Sequence, residues 1–277
     1  MPDTLFVSDL DGTLLDADSK VSEQSARMLN EAAARGAMFT VATARTPATV
    51  VPLLEGIDVR VPAVVMTGAG LWDLQNNRYI MLQTLSHAGA RIAAGICDKY
   101  GLIPVVYRRG VGDVLQVYHG EDVSHPSAVK FLQERSTLRL KKLYSVADPL
   151  SRLSGSDSVL LLALGAKAPV QAAAAELQRV GEMSVSWYSD PGYPDVYFLE
   201  IFGADVSKAQ GVQRLREYTG VESVTVFGDN YNDLSLFAAA DHAVAVENAV
   251  SDVRDAADEV IGTNTSDAVP RYILSHM

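Results

Sequence analysis

The strongest constraint on the fold is a set of short, unbroken apolar runs, each followed by a helical pattern. Leu5-Phe6-Val7 comes first, and Ser22 then caps a segment with Ala26, Leu29 and Ala33 on one face and Gly36 as its stop. Phe39-Thr40-Val41-Ala42 is next, followed by Thr46-Pro47, a cap with proline at the first helical position, and by Val64-Val65-Met66. Strands that are apolar throughout, rather than alternating, are covered on both faces, as in a parallel sheet flanked by helices. The last third repeats the alternation: a strand over 196–201, a helix over 207–218, the run Val224-Thr225-Val226-Phe227, a helix over 234–240, a short strand over 243–246 and a helix over 250–257.

Both ends of the chain are therefore expected to build one α/β core, a doubly wound, Rossmann-like parallel sheet. Between them the pattern changes. Residues 71–82 read as a hairpin turning at Asn76-Asn77, and 86–100 as a helix. Residues 103–107 and 114–118 are extended, and a helix follows near 126–134. A strand over 159–164, a helix over 169–180 and a strand over 184–187 complete the middle. These predict an inserted α+β cap domain over 84–189, with the core formed by 1–83 and 190–277. A chain of 277 residues is long enough for two such domains.

Lys and Arg number 23 against 34 Asp and Glu, a formal charge of −11, so partners met through basic patches, nucleic acid and anionic membrane, are not expected. The one cysteine, Cys97, lies in an apolar-periodic stretch and reads as a buried structural thiol, with no disulfide framework. Asp3 and Asp9 precede any long apolar stretch, so no signal peptide is expected. The apolar run over 159–166 is strand-sized, far short of the ~20 residues of a membrane helix. A cytoplasmic protein is the expectation.

In a doubly wound sheet, ligands bind beyond the carboxyl ends of the strands. The residues following the candidate strands are Asp9 and Asp11; Thr43 and Arg45; Thr67, Gly68 and Gly70; and Asp229, Asn230, Asn232 and Asp233. Taken alone, Asp-Gly-Thr is ordinary turn chemistry, and acids at a helix start suit the dipole. Together they would bring four carboxylates to one rim, which is costly without a positive charge. Mg²⁺ is the natural partner, a hard cation favouring carboxylate oxygen, water and phosphate. Lys208, at a helix start, adds a second positive charge. In Asp9-x-Asp11 one carboxylate can then attack phosphorus, while the second protonates the leaving oxygen and later deprotonates water. Thr43 can donate a hydrogen bond to a phosphoryl oxygen. Gly68-Ala69-Gly70 lacks the third glycine of a dinucleotide fingerprint, and Gly12 arrives too early for an EF-hand loop.

These residues resemble the four motifs of the haloacid dehalogenase superfamily. Asp9-Leu10-Asp11-Gly12-Thr13-Leu14-Leu15 is similar to the first motif and Thr43-Ala44-Arg45 to the second. Lys208 corresponds to the third, and Gly228-Asp229-Asn230-Tyr231-Asn232-Asp233 to the fourth. The insertion is similar to the α/β cap of Cof-type phosphatases. The resemblance implies a Mg²⁺-dependent phosphatase acting on a small phosphorylated metabolite such as a sugar phosphate, with a cap that closes over the core. It implies Asp9 as nucleophile and Asp11 as general acid/base, with Thr43 and Lys208 holding the phosphoryl group. Arg45, Gly68 and Asn232 are implied substrate contacts. Asp9, the main-chain carbonyl of Asp11, Asp229 and Asp233 are the implied metal ligands. Related folds also support phosphomutases, and a catalytically silent metabolite-binding protein is the alternative outside catalysis. Thr67 stands where such proteins usually carry asparagine, and Glu247-Asn248-Ala249 replaces glycine-asparagine-alanine.

Overall fold

The computed structural model describes residues 4–153 and 157–277. The chain divides into two compact units, Met1–Met81 with Ser207–Met277, and Leu82–Val206. The first opens with β1 (Thr4–Ser8), α1 (Glu23–Ala34), β2 (Met38–Val41), α2 (Pro47–Leu53), β3 (Ala63–Val65) and the hairpin β4 (Gly70–Asp73) and β5 (Arg78–Leu82). There follow α3 (His87–Lys99), β6 (Ile103–Arg109), β7 (Leu115–Gly120), α4 (Pro126–Arg135), β8 (Lys141–Val146), β9 (Ser158–Gly165), α5 (Lys167–Val180), β10 (Met183–Ser189) and β11 (Tyr197–Gly203). The chain ends with α6 (Lys208–Thr219), β12 (Ser223–Gly228), α7 (Leu234–Ala238), β13 (His242–Val246), α8 (Ser251–Ala256), β14 (Glu259–Ile261) and α9 (Ala268–His276). Among the described residues no helix is long and apolar enough to cross a membrane.

The first unit holds a parallel sheet in the order β14-β13-β12-β1-β2. Its central strands are buried as the apolar runs require: Leu5, Val7, Val226 and Phe227 have no exposed surface. From β1 the chain winds outward to β2, and on its return β12 takes the other side of β1. The carboxyl ends of β1 and β12 therefore flank the crevice where the strand order reverses.

Several local expectations need correction. The run over 64–66 forms β3, which pairs antiparallel with β4 in a separate three-stranded sheet. It lies beside the end of β2 through the parallel bridge Ala42–Val64 and the bonds from Thr43 N to Val64 O, Met66 N to Arg45 O and Thr67 N to Thr43 O. The strand expected over 196–201 as a core piece is β11, paired antiparallel with β10 and β9 in the second unit. A central strand is apolar throughout in either kind of sheet, so its pattern does not say which sheet it joins. The extended segment expected over 103–107 is β6, which runs on through Arg108 and Arg109, and Tyr107 is buried in it.

The second unit is a six-stranded sheet, β10-β11-β9-β6-β7-β8, antiparallel except for β7 and β8, which α4 joins as a crossover. Helices α3 and α5 cover one face, where Ala93, Cys97, Val106, Leu161, Leu177 and Ile201 form a core. Burial pushes the Cys97 thiol up to about 12, so it is an inert packing group.

Backbone contact positions α6. Gly68 has φ +94, and a Cβ there would stand 2.0 Å from Ser207 O. A Cβ on Gly211 would meet Val64 Cγ1 at 2.4 Å and Gly68 Cα at 2.8 Å. The first turn of α6 thus lies against the loop after β3 because neither residue has a side chain. Gly68→Ala should cost about 2 kcal/mol or more in urea unfolding. Gly36→Ala, at φ +99 with nothing within 4 Å, should cost only about 1 kcal/mol; equal costs would contradict the packing argument.

Glu200, on β11, is 8% exposed. Burial pushes it from 4.5 to about 7 against the lowering effect of the Tyr188 and Ser186 hydroxyls, at 3.2 and 3.4 Å. A carboxyl whose folded pKa is raised adds stability below its unfolded pKa and loses it as pH rises through the folded one. Glu200→Gln should therefore gain stability relative to the parent as pH rises from about 5 to about 8. A difference constant across that range, in denaturant melts, would refute it.

Candidate active site

β1 runs into the site without a break: Asp9 N bonds Phe227 O at 2.9 Å, holding the end of β1 against β12. The chain then turns through Leu10–Leu14. Gly12, at φ +78, makes room for Asp229, since a Cβ there would lie 2.3 Å from Asp229 Oδ2. Thr13 Oγ1 donates to Asp229 Oδ1 at 3.0 Å. The far side of the turn is tied down by asparagines. Asn248 Nδ2 donates to Gly12 O at 2.8 Å, Asn264 N donates to Asn248 Oδ1 at 2.9 Å, and Asn264 Nδ2 donates to Leu15 O at 2.8 Å.

Lys208 begins α6, where the dipole disfavours a cation, and Ser207 caps the helix by accepting from Gln210 N. Its ammonium, 2% exposed, lies 2.7 Å from Asp9 Oδ1 and 2.8 Å from Asp233 Oδ1. Asp233 is fully buried, and its second oxygen accepts from the backbone N–H of Asp229 at 3.1 Å and of Asn230 at 3.2 Å. Burial opposes the charge on Lys208, but the two carboxylates outweigh it and hold its pKa above the ordinary lysine value. Burial raises Asp9 to about 7, with Lys208 pulling it down and Asp233 pushing it up. Burial likewise raises Asp229 to about 6, against the Thr13 hydrogen bond and with Asp233 adding to the rise.

Asp11 is turned to Arg45, which grips it with two bonds, Nε to Oδ2 at 2.8 Å and Nη2 to Oδ1 at 2.6 Å. That grip raises the Arg45 pKa further despite partial burial. Thr43 is buried, and its hydroxyl oxygen accepts from Arg45 N at 3.2 Å, leaving its proton to donate elsewhere. The structure thus joins Asp9, Lys208, Asp229 and Asp233 in one cluster, and Asp11 with Arg45 and Thr43 in another. Gly68 is packed against α6, and Asn232 is exposed on the turn before α7. Sequence reading did not single out Thr13 or Asn264 as parts of the site. Asn248 was noted only as part of a tripeptide, because a tie between an amide and a distant main-chain carbonyl has no local signature.

The donor set suits a hard divalent cation. Asp9, Asp229 and Asp233 each bring one carboxylate oxygen, all within 4.8 Å of one another. Burial is what raises Asp9 and Asp229, and Asp233 adds to both, a cost that Lys208 reduces without removing. Oxygen donors with residual negative charge are the environment Mg²⁺ prefers.

Fold and cluster together define an α/β enzyme with an acidic, lysine-bridged centre at its strand ends. The model of the haloacid dehalogenase-like hydrolases matches residues 6–273. The chain is 24% identical over 290 residues to a pyridoxal phosphate phosphatase of Escherichia coli, with 100% of both chains covered. It is also 24% identical over 277 residues to a 5-amino-6-(5-phospho-D-ribitylamino)uracil phosphatase of Bacillus subtilis, covering 98% of this chain and 97% of that one. A haloacid dehalogenase-like hydrolase of Bacteroides thetaiotaomicron has the same fold, with TM-score 0.79, 22% identity and 99% of each chain covered. The chain belongs to the haloacid dehalogenase-like hydrolases, and among them to the Cof-type phosphatases.

Removing one partner of a buried charge cluster leaves the others uncompensated. Lys208→Met should cost about 3 to 5 kcal/mol in chemical unfolding, and adding Asp9→Asn should restore part of it. Strict additivity of the two would contradict the shared charge.

Proposed function

We propose that this phosphatase hydrolyses small phosphorylated metabolites, sugar phosphates among them, through an aspartyl-phosphate on Asp9 with Mg²⁺ as cofactor. The observation that carries the reading is the Lys208 ammonium shared by Asp9 and Asp233 at 2.7 and 2.8 Å. It draws the buried Asp9 carboxyl toward its ionised form, against burial, and the same ammonium can meet a phosphoryl oxygen.

In the first step an Asp9 oxygen attacks phosphorus and the bond from phosphorus to the leaving oxygen breaks, while Asp11 gives that oxygen its proton. In the second, Asp11 takes a proton from water, whose oxygen attacks phosphorus. The acyl-phosphate P–O bond then breaks, returning the Asp9 carboxylate and free phosphate. In the structure Arg45 holds both Asp11 oxygens, the geometry of the ionised form, so Asp11 carries the proton it delivers once that grip opens, while Thr43 and Lys208 donate to the phosphoryl oxygens. Asp9, Asp229, the Asp11 carbonyl and Asp233 would hold Mg²⁺, which when bound offsets phosphoryl charge. In this reading the unit Leu82–Val206 is the cap that selects the organic part of the substrate. Support for the substrate class comes from the two relatives, whose names specify phosphate esters of a pyridoxal and of a ribityl chain.

Asp9→Asn should lower turnover of para-nitrophenyl phosphate by about a thousandfold or more while the fold is retained. EDTA should abolish wild-type turnover and added Mg²⁺ restore it. Near-normal activity of the variant, or activity indifferent to EDTA, would sink this mechanism.

A further inference from the structure

The second unit contains a buried amine that its fold does not use. Lys141, the first residue of β8, is 7% exposed, yet it makes no hydrogen bond or ion pair among the described residues. Its Nζ lies 5.4 Å from the centroid of the Tyr107 ring. An amine so placed carries a desolvation cost that a protein normally offsets with a partner.

The strand register shows what surrounds it. Lys141 stands opposite Leu115, and two residues along β7 Val117 stands opposite Tyr107. Tyr107 stands opposite Leu160, and two residues along β9 Leu162 stands opposite Glu200, which faces Ser186. Lys141, Tyr107, Glu200 and Ser186 therefore share one face of the sheet, opposite α3 and α5, the face on which α4 packs with Phe131 against Phe198. Most of that face is apolar and buried: Leu115, Val117, Leu160 and Leu162 are at most 5% exposed.

Arg135 has an anion beside it, Glu134 Oε2 at 3.9 Å, whereas Lys141 has none among the described residues. Arg135, at the end of α4, acts electrostatically on both Lys141 and Tyr107. It donates to Tyr193 Oη and lies 3.6 Å over the Phe131 ring. Glu200 is bonded to Tyr188 and Ser186 rather than to either cation, and its burial favours the neutral acid. Burial and Arg135 together also depress Lys141 to about 7, as expected of a cation without an anion. An oxyanion would relieve both costs.

We infer that this face of the second unit binds the oxyanion of a substrate's organic part, a carboxylate or a second phosphoryl group, with Lys141 as its direct contact. The identity of the ligand as substrate rests on the phosphatase reading above, whereas the site itself does not.

The test compares kcat/KM of the full chain, with Mg²⁺, on phenyl phosphate, para-carboxyphenyl phosphate and hydroquinone bisphosphate. The wild type should favour one charged ester by about tenfold over phenyl phosphate, the effect of a charge-assisted contact. Which ester is favoured separates carboxylate from phosphoryl recognition. Lys141→Met should bring that ratio to about one, and Lys141→Arg should keep it. A wild type without preference, or a Lys141→Met chain with the wild-type ratio, overturns the inference. If phenyl phosphate is not hydrolysed at all, the phosphatase reading fails instead. Calorimetric binding of para-hydroxybenzoate and of hydroquinone bisphosphate then decides the site. At least one should bind the wild type about tenfold more tightly than Lys141→Met, and equal affinities for both overturn it.

Discussion

The centre of this molecule depends on one buried cation. Lys208 lies between Asp9 and Asp233 with almost no exposed surface, and each of the three would be costly there without the others. Asp9 ends β1, Asp233 follows β12, and Lys208 opens α6, so the triad ties together the three segments that define the crevice. Its position follows from backbone as much as from charge. Gly68 and Gly211 let the start of α6 approach the loop after β3, and that approach delivers the ammonium.

Around the triad, each carboxylate has a distinct support. Asp233 is held by two backbone N–H groups, Asp229 by Thr13 and the open side of Gly12, and Asp11 by Arg45. Asn248 and Asn264 anchor the Asp9–Leu15 turn from outside. A phosphoryl-transfer site needs fixed charges that do not reorganise during reaction, and such a layer of hydrogen bonds supplies that fixity. The second unit follows different rules. One face of its sheet is an ordinary apolar core against α3 and α5, whereas the other carries a lysine, a glutamic acid and tyrosines at positions that apolar side chains would fill more cheaply.

Much of this was legible in the sequence, for identifiable reasons. Runs such as Leu5-Phe6-Val7 and Val224–Phe227 are apolar throughout because helices cover both faces of the parallel sheet, and the residues after them fall at the strand ends by construction. Asp9, Asp229 and Asp233 could be gathered that way, and Lys208 by its place at a helix start. β11 could not be assigned to its sheet, since burial on both faces is common to a central antiparallel strand and a parallel one. β3 left the parallel sheet because its partner, β4, follows at once in the chain. That Tyr107 and Lys141 share a buried face has no local signature, since only the register of β6, β7 and β8 reveals it. The ties made by Asn248 and Thr13 span 236 and 216 residues, beyond any local pattern.

The central claim is that Asp9 is the atom donor to phosphorus. Rapid acid quench during turnover of a phosphate ester, followed by proteolysis and mass spectrometry, tests it most directly. One phosphoryl group should appear on the peptide containing Asp9, be absent from the Asp9→Asn chain, and be lost in hydroxylamine, as an acyl phosphate must. Steady turnover with no phosphorylated peptide at any quench time, or a phosphoryl group on another residue, would contradict the account.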